Sequence, residues 1–176
     1  GDNCDVLLMS ATPIPRTLTM SVYGDMDVSI IKEKPSNRKE VKTYSKLESK
    51  IDDVINFVKK EIKEGNQIFW VCPLIEESKK LDHQSSVTKY KFLNEIFPNK
   101  VALLHGKIEN EEKEEILNKF LNKKYSILVS TTIIEVGIDF PNANVIIIEN
   151  ANKFGLSQLH QLRGRVGRGT KQASCI

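Results

Sequence analysis

Ile127-Leu128-Val129-Ser130-Thr131-Thr132-Ile133-Ile134-Glu135-Val136-Gly137-Ile138-Asp139-Phe140-Pro141-Asn142-Ala143-Asn144-Val145-Ile146-Ile147-Ile148 contains two short, unbroken apolar runs, Ile127–Val129 and Val145–Ile148. A strand with one wet face would alternate apolar and polar residues. Continuous runs of this length suit strands buried on both faces, as in a parallel sheet. Between the runs, Thr132 with Glu135 makes a capping box, so a short helix is expected to start there, with Gly137 ending the turn.

Working outward, the same kind of run recurs at Val6-Leu7-Leu8-Met9, Ile68-Phe69-Trp70-Val71 and Val101-Ala102-Leu103-Leu104. Segments of helical period lie between them. Ile51, Val54, Ile55, Val58 and Ile62 form one stripe, with Ser49 and Asp52 as a capping pair and Gly65 as a stop. Tyr90, Leu93, Ile96 and Phe97 form a second, closed by Pro98. Ile116, Leu117, Phe120 and Leu121 form a third, behind an acidic first turn at Glu111-Glu112. Strand and helix in alternation predict right-handed βαβ units: an α/β domain whose parallel sheet carries helices on both faces. Asp25 to Glu40 reads as a strand followed by a polar connection. That places a boundary near Gly24, with residues 1–24 the remnant of a preceding domain and its linker, and 25–176 the domain proper.

The 176 residues suit one compact domain. A net charge of +3 is too small to indicate a nucleic-acid partner by itself. Three scattered cysteines form no Cys-x-x-Cys pair and the three histidines have no ligand spacing, so no metal site is expected. This cysteine usage fits a reducing, intracellular setting, and no apolar run reaches the ~18 residues of a membrane span. The chain opens on Gly1 rather than Met and stops in the apolar Cys175-Ile176, and so reads as a segment of a longer protein.

Chemistry concentrates in Gln161-Leu162-Arg163-Gly164-Arg165-Val166-Gly167-Arg168. As the continuation of a helix opened by Ser157, it would put Leu159, Leu162 and Val166 on the sheet side and group Gln161, Arg165 and Arg168 opposite, at the ligand-bearing rim. Guanidinium pairs suit phosphate oxygens because the planar fork donates two parallel hydrogen bonds and stays charged. Two interior glycines, Gly164 and Gly167, each cost about 1 kcal/mol in a helix and so call for a close approach of ligand or backbone. A solvated basic face is the competing reading.

Free N–H groups at the start of the Thr132 helix, with the Thr131 hydroxyl, suit a nucleic-acid phosphate, and Asp139 suits ribose hydroxyls; a purely structural cap is the alternative. His105-Gly106 follows the Val101–Leu104 run, so His105 and Thr131 should leave the sheet on one edge, where parallel sheets bind ligands. His105 as an ordinary loop histidine is the alternative there. Ser10-Ala11-Thr12 at the end of the Val6–Met9 run is either an interdomain relay or an N-cap before Pro13. Gly164 and Gly169 are spaced as in a phosphate loop, but Thr170-Lys171 has the order reversed, and no Gly-x-x-x-x-Gly-Lys-Ser/Thr occurs.

These stretches resemble superfamily 2 helicases: Ser10–Thr12 is similar to motif III, Gln67–Pro73 to motif IV, Ser130–Pro141 to motif V and Gln161–Arg168 to motif VI. Thr12–Thr17, Trp70–Ser78, Ile134–Asp139 and Phe154–Gly169 resemble the RecG type in particular. The resemblance implies the second RecA-like motor domain of an ATP-dependent DNA helicase, a P-loop NTPase-like domain lacking its own P-loop. It assigns Arg168 as arginine finger beside Arg165, with Gln161 toward the γ-phosphate and Gly137 and Asp139 at the nucleotide. His105, Gly106, Thr131 and Thr132 would meet the DNA backbone, and Ser10, Ala11 and Thr12 would couple the domains. ATP and Mg2+ would be held mainly by a first RecA-like domain. Branched DNA, that first domain and a wedge domain are the implied partners, in a monomeric, nucleoid-associated bacterial protein of the cytoplasm. By itself the chain is expected to hydrolyse no ATP. The rivals are a transcription-repair coupling translocase and a non-catalytic nucleic-acid-binding module.

Overall fold

In a computed structural model, residues 29, 39–73, 79–131 and 140–176 are described, without the side chains of 79–84. The chain divides into two compact units, Gly1–Pro35 and Ser36–Ile176. Apart from Ser29, the first lies outside the described residues, as do the expected Val6–Met9 strand, the boundary near Gly24 and the Thr132 helix start.

Among the described residues the second unit has six strands: β1 (Lys42–Thr43), β2 (Gln67–Val71), β3 (Val101–Leu104), β4 (Ile127–Ser130), β5 (Ala143–Ile148) and β6 (Ser174–Cys175). All pair in parallel, in the order β1-β6-β5-β2-β4-β3. The described α-helices between them are α1 (Ile51–Lys63), α2 (Lys79–Ile96), α3 (Asn110–Leu121) and α4 (Leu156–Arg163).

The continuous apolar runs are explained by two cores, one on each side of the sheet. Successive strand residues point to opposite faces. Ile68, Trp70, Ile127, Val129, Val145 and Ile147 pack with Val54, Ile55 and Val58 of α1, Leu93 of α2 and Phe97 just after it. Phe69, Val71, Leu128, Ile146 and Ile148 pack with Leu117 and Phe120 of α3 and Leu162 of α4. Within the second core, Phe69, Phe120 and Phe140 form a trio with ring centroids 5.5–5.6 Å apart, a spacing that favours tilted and edge-on contacts. Leu121, expected in the α3 stripe, is instead 37% exposed.

The ends of α1 show one departure from expectation and one agreement. Ser49 and Asp52 do not cap it: Ser49 sits in a 3-10 turn, Glu48–Lys50, and the N-cap is Lys50, without a side-chain hydrogen bond. That turn satisfies a donor from the backbone, Lys50 N–H to Leu47 O at 2.9 Å, while Asp52 and Asp53 supply the acidic first turn. Gly65 does stop the helix. At φ 79° it lets its own N–H reach Ile62 O and that of Asn66 reach Glu61 O, both at 3.0 Å, which are the paired bonds of a Schellman motif.

At the amino-terminal edge of the sheet, buried polar side chains tie the connections together. Gln67 donates from Nε2 to Phe120 O (2.6 Å) and Tyr125 O (2.8 Å), joining β2 to the end of α3. Asn66 Oδ1 accepts from Asn144 Nδ2 (3.0 Å) and Lys171 Nζ (3.1 Å), while its Nδ2 donates to Glu61 (2.7 Å).

Candidate nucleotide and nucleic-acid surfaces

Two groups of candidate residues result, at different places. The first lies at the carboxyl ends of β3 and β4. Leu104 stands opposite Ser130 in the parallel register, so His105 and Thr131 leave the sheet side by side. Thr131 is buried, and its N–H points to Leu104 O at 3.4 Å. His105 is half-buried, and its Nδ1 accepts the Lys107 N–H at 3.2 Å, which orients the ring. Gly106 is exposed, and a Cβ there would meet nothing within 4 Å, leaving room for close approach from outside. Thr132, Gly137 and Asp139 lie outside the described residues, as do Ser10, Ala11 and Thr12.

The second group is carried by α4 and the loop that follows. The expected helix through Arg168 does not form: α4 ends at Arg163, with Gly164 as C-cap, and Gly167 takes φ 75°. Gln161, Arg165 and Arg168 therefore do not share one helical face. Gln161 is exposed on α4, whereas Arg165 and Arg168 sit half-buried in the loop. Nor does the loop run along the carboxyl rim. Gly169 abuts Pro141, two residues before β5, and Lys171 Nζ bonds Glu64 O at 3.0 Å, just ahead of β2. A helix packed in a βαβ unit runs antiparallel to its strands, so its far end returns toward the amino-terminal edge. The side of the expected helix facing the sheet is preserved nonetheless: Leu162 and Val166 are buried and Leu159 packs beside them.

The glycines here answer to protein backbone and side chains. A Cβ on Gly169 would stand 2.7 Å from Pro141 O, and one on Gly167 3.2 Å from both Val41 Cγ2 and Ala173 Cβ. Close packing of the arginine loop against two other segments, together with the left-handed φ of Gly167, accounts for both.

Sequence reasoning passed over Arg163 and Gln172. Arg163 Nη2 donates to Val41 O at 3.0 Å, and Gln172 Nε2 to Glu40 O at 2.7 Å. Both acceptors are main-chain carbonyls distant in sequence, and residue identity gives no signal for such partners. It also passed over a cluster where β2 and β5 end. Cys72 Sγ donates to Glu149 Oε2 at 3.6 Å; the Glu149 carboxylate also pairs with Lys89, whose ammonium lies 5.5 Å from the Trp70 ring centroid. Burial, then the charge of Glu149 and the hydrogen bond to it, push the Cys72 thiol far above its ordinary range, so it stays protonated and chemically quiet. Among the described residues, no group of three or more His, Cys, Asp or Glu is placed to hold a metal ion, and no helix is long and apolar enough to cross a membrane.

The sequence matches the helicase conserved C-terminal domain family over residues 49–170. It is 51% identical, over its whole length, to the ATP-dependent DNA helicase RecG of Bacillus subtilis (strain 168), of which it covers 26%. To the protein of that name from Thermotoga maritima it is 52% identical, again over its whole length, covering 23% of that protein. The chain thus spans about a quarter of the length of these curated relatives. A solved structure of RecG bound to a three-way DNA junction superimposes with a TM-score of 0.79 at 49% identity, across 95% of this chain and 22% of that one. The architecture is the RecA-like α/β fold, a parallel sheet with helices on both faces.

Proposed function

Because this chain belongs to the helicase conserved C-terminal domain family, we propose that it is the second motor domain of a RecG-type ATP-dependent DNA helicase that remodels stalled forks and Holliday junctions. The observation that carries the reading is whole-chain identity of about half to RecG helicases. The separation of the two residue groups supports it, because a motor has two ligands to hold and hydrolysis at one must be felt at the other.

On this reading, ATP sits between this unit and a first RecA-like domain, and Arg165 and Arg168 reach it from the loop after α4. Arg168 is the arginine finger: its guanidinium neutralises charge developing on the γ-phosphoryl oxygens as water attacks phosphorus and the bond to ADP breaks. Gln161 orients the γ-phosphate side, and Gly137 and Asp139 contact the nucleotide. Mg2+ is assigned, with most of the triphosphate, to the first domain. His105, Gly106, Thr131 and Thr132 hold the DNA backbone at the carboxyl rim, and Ser10, Ala11 and Thr12 couple the two motor domains. The protein works on branched DNA as a monomer, alongside its own first motor and wedge domains, in the bacterial cytoplasm at the nucleoid.

The decisive measurement is DNA-stimulated ATP turnover by the full-length parent protein. Arg168→Ala should lower kcat by about 10³-fold or more while DNA binding persists. Turnover at the parent rate would remove Arg168 from this role.

A further inference from the structure

The geometry points to Arg163 and Gln172 as positioning residues that couple the arginine loop to the segment by which the chain enters this unit. The inference rests on the motor reading above. Arg163 is the last residue of α4 and Gln172 lies just ahead of β6, so the two bracket the loop that carries Arg165 and Arg168. Both side chains reach consecutive carbonyls of the segment just ahead of β1: Gln172 Nε2 to Glu40 O at 2.7 Å and Arg163 Nη2 to Val41 O at 3.0 Å. The β1–β6 ladder continues the attachment, with Lys42 N–H on Ala173 O at 2.9 Å and Tyr44 N–H on Cys175 O at 2.8 Å. In the middle of the loop, Val41 Cγ2 closes against Gly167, 3.2 Å from where a Cβ would stand.

The arginine loop is thus held at both ends and in the middle by a single stretch, Glu40–Tyr44. Nothing in the ladder requires the two side-chain bonds, which are made to carbonyls ahead of β1. Glu40 and Val41 lie near the start of the second unit, Ser36–Ile176, so they are part of the segment that leads into its sheet. Displacement of that segment shifts both anchors together and carries Arg165 and Arg168 with them. Such a link lets the position of the entering segment set whether the arginines reach the triphosphate.

The test uses the full-length parent protein carrying Arg163→Met, Arg163→Lys or Gln172→Ala, with Arg168→Ala alongside. Gln172 is exposed, so its variant tests the clamp without opening the core. A displacement of about 1 Å at a catalytic group costs about a hundredfold, so Arg163→Met and Gln172→Ala should each lower kcat about tenfold or more. The KM for ATP should stay within about twofold, because transition-state contacts alone are lost. Arg163→Lys, which keeps one donor for Val41 O, should restore most of the rate. Unchanged kcat in both Arg163→Met and Gln172→Ala overturns the inference. So does a loss that Lys fails to rescue, or one that raises KM in step, either of which marks a purely structural role. Normal turnover by Arg168→Ala would instead overturn the motor reading beneath it.

Discussion

Gln67 is the first residue of β2 and is 3% exposed, an unusual place for an amide. Its Nε2 spends both hydrogens on main-chain carbonyls, Phe120 O at 2.6 Å and Tyr125 O at 2.8 Å. The two acceptors are not equivalent. Phe120 O also receives the Lys123 N–H at 2.9 Å, so it remains satisfied if the amide is removed. Tyr125 O loses the donor that Gln67 supplies. Gln67→Met keeps length and volume while deleting both N–H groups. A part-buried carbonyl left without its donor costs at most about 1–3 kcal/mol and a lost but compensated bond about 0.5–1.5, so the variant should be less stable by about 1–4 kcal/mol. That is a large share of the 5–15 kcal/mol typical of a domain.

Urea unfolding of this 176-residue chain measures the effect. The sole tryptophan, Trp70, is fully buried on the same strand, so its fluorescence reports this unit alone. Gln67→Glu adds a sign test. At pH 7 its carboxylate would face two carbonyls and cost more than Met. Protonated, it regains one donor, so its folded-state pKa must rise. Its penalty relative to the parent chain should therefore be relieved as pH falls toward the free value of about 4.3. A Gln67→Met midpoint within about 0.5 kcal/mol of the parent, at equal m-value, would refute the reasoning, since surface changes do as much.

Gly169→Ala should cost about 1–3 kcal/mol by forcing a Cβ against Pro141 O, whereas Gly106→Ala, in open space, should stay within about 0.5 kcal/mol; equal midpoints for the two variants would mean the loop yields freely. Cys72 predicts an alkaline limb. Its thiol is raised chiefly by burial, so stability is intact below the ordinary thiol value of about 8.5 and declines above it, as the unfolded chain ionises and the folded chain does not. Above about pH 9, the parent should lose about 1.4 kcal/mol per pH unit more than Cys72→Ala. Parallel pH–stability curves for the two would show that the buried thiol is not the cause.

The sheet was legible because burial on both faces leaves a local mark. Ile68–Val71, Val101–Leu104, Ile127–Val129 and Val145–Ile148 all read as continuous apolar runs and all became strands, to within two residues at either end. The stripes of α1, α2 and α3 were legible for the same reason, since one helical face must meet the sheet. β1 and β6 were not: each is two residues long and owes its strand geometry to its neighbours, Lys42–Thr43 to Ser174–Cys175 and these to β5. Extrapolating α4 through Arg168 failed because a hydrophobic period survives in a loop packed on the same core. Val166 is buried with or without helical geometry around it.

Sequence alone thus determined the α/β class, the two-faced core and the chemistry of the basic segment, because each depends on residue type and spacing within a short window. Tertiary structure decided where that chemistry sits. It ended α4 at Arg163, turned the chain at Gly167, and set Arg165 and Arg168 in a loop away from His105 and Thr131. It also gave Arg163 and Gln172 their carbonyl partners at Val41 and Glu40, more than a hundred residues earlier in the chain. A hydrogen bond to a backbone carbonyl is blind to the acceptor's side chain, so only the folded path of the chain can specify it.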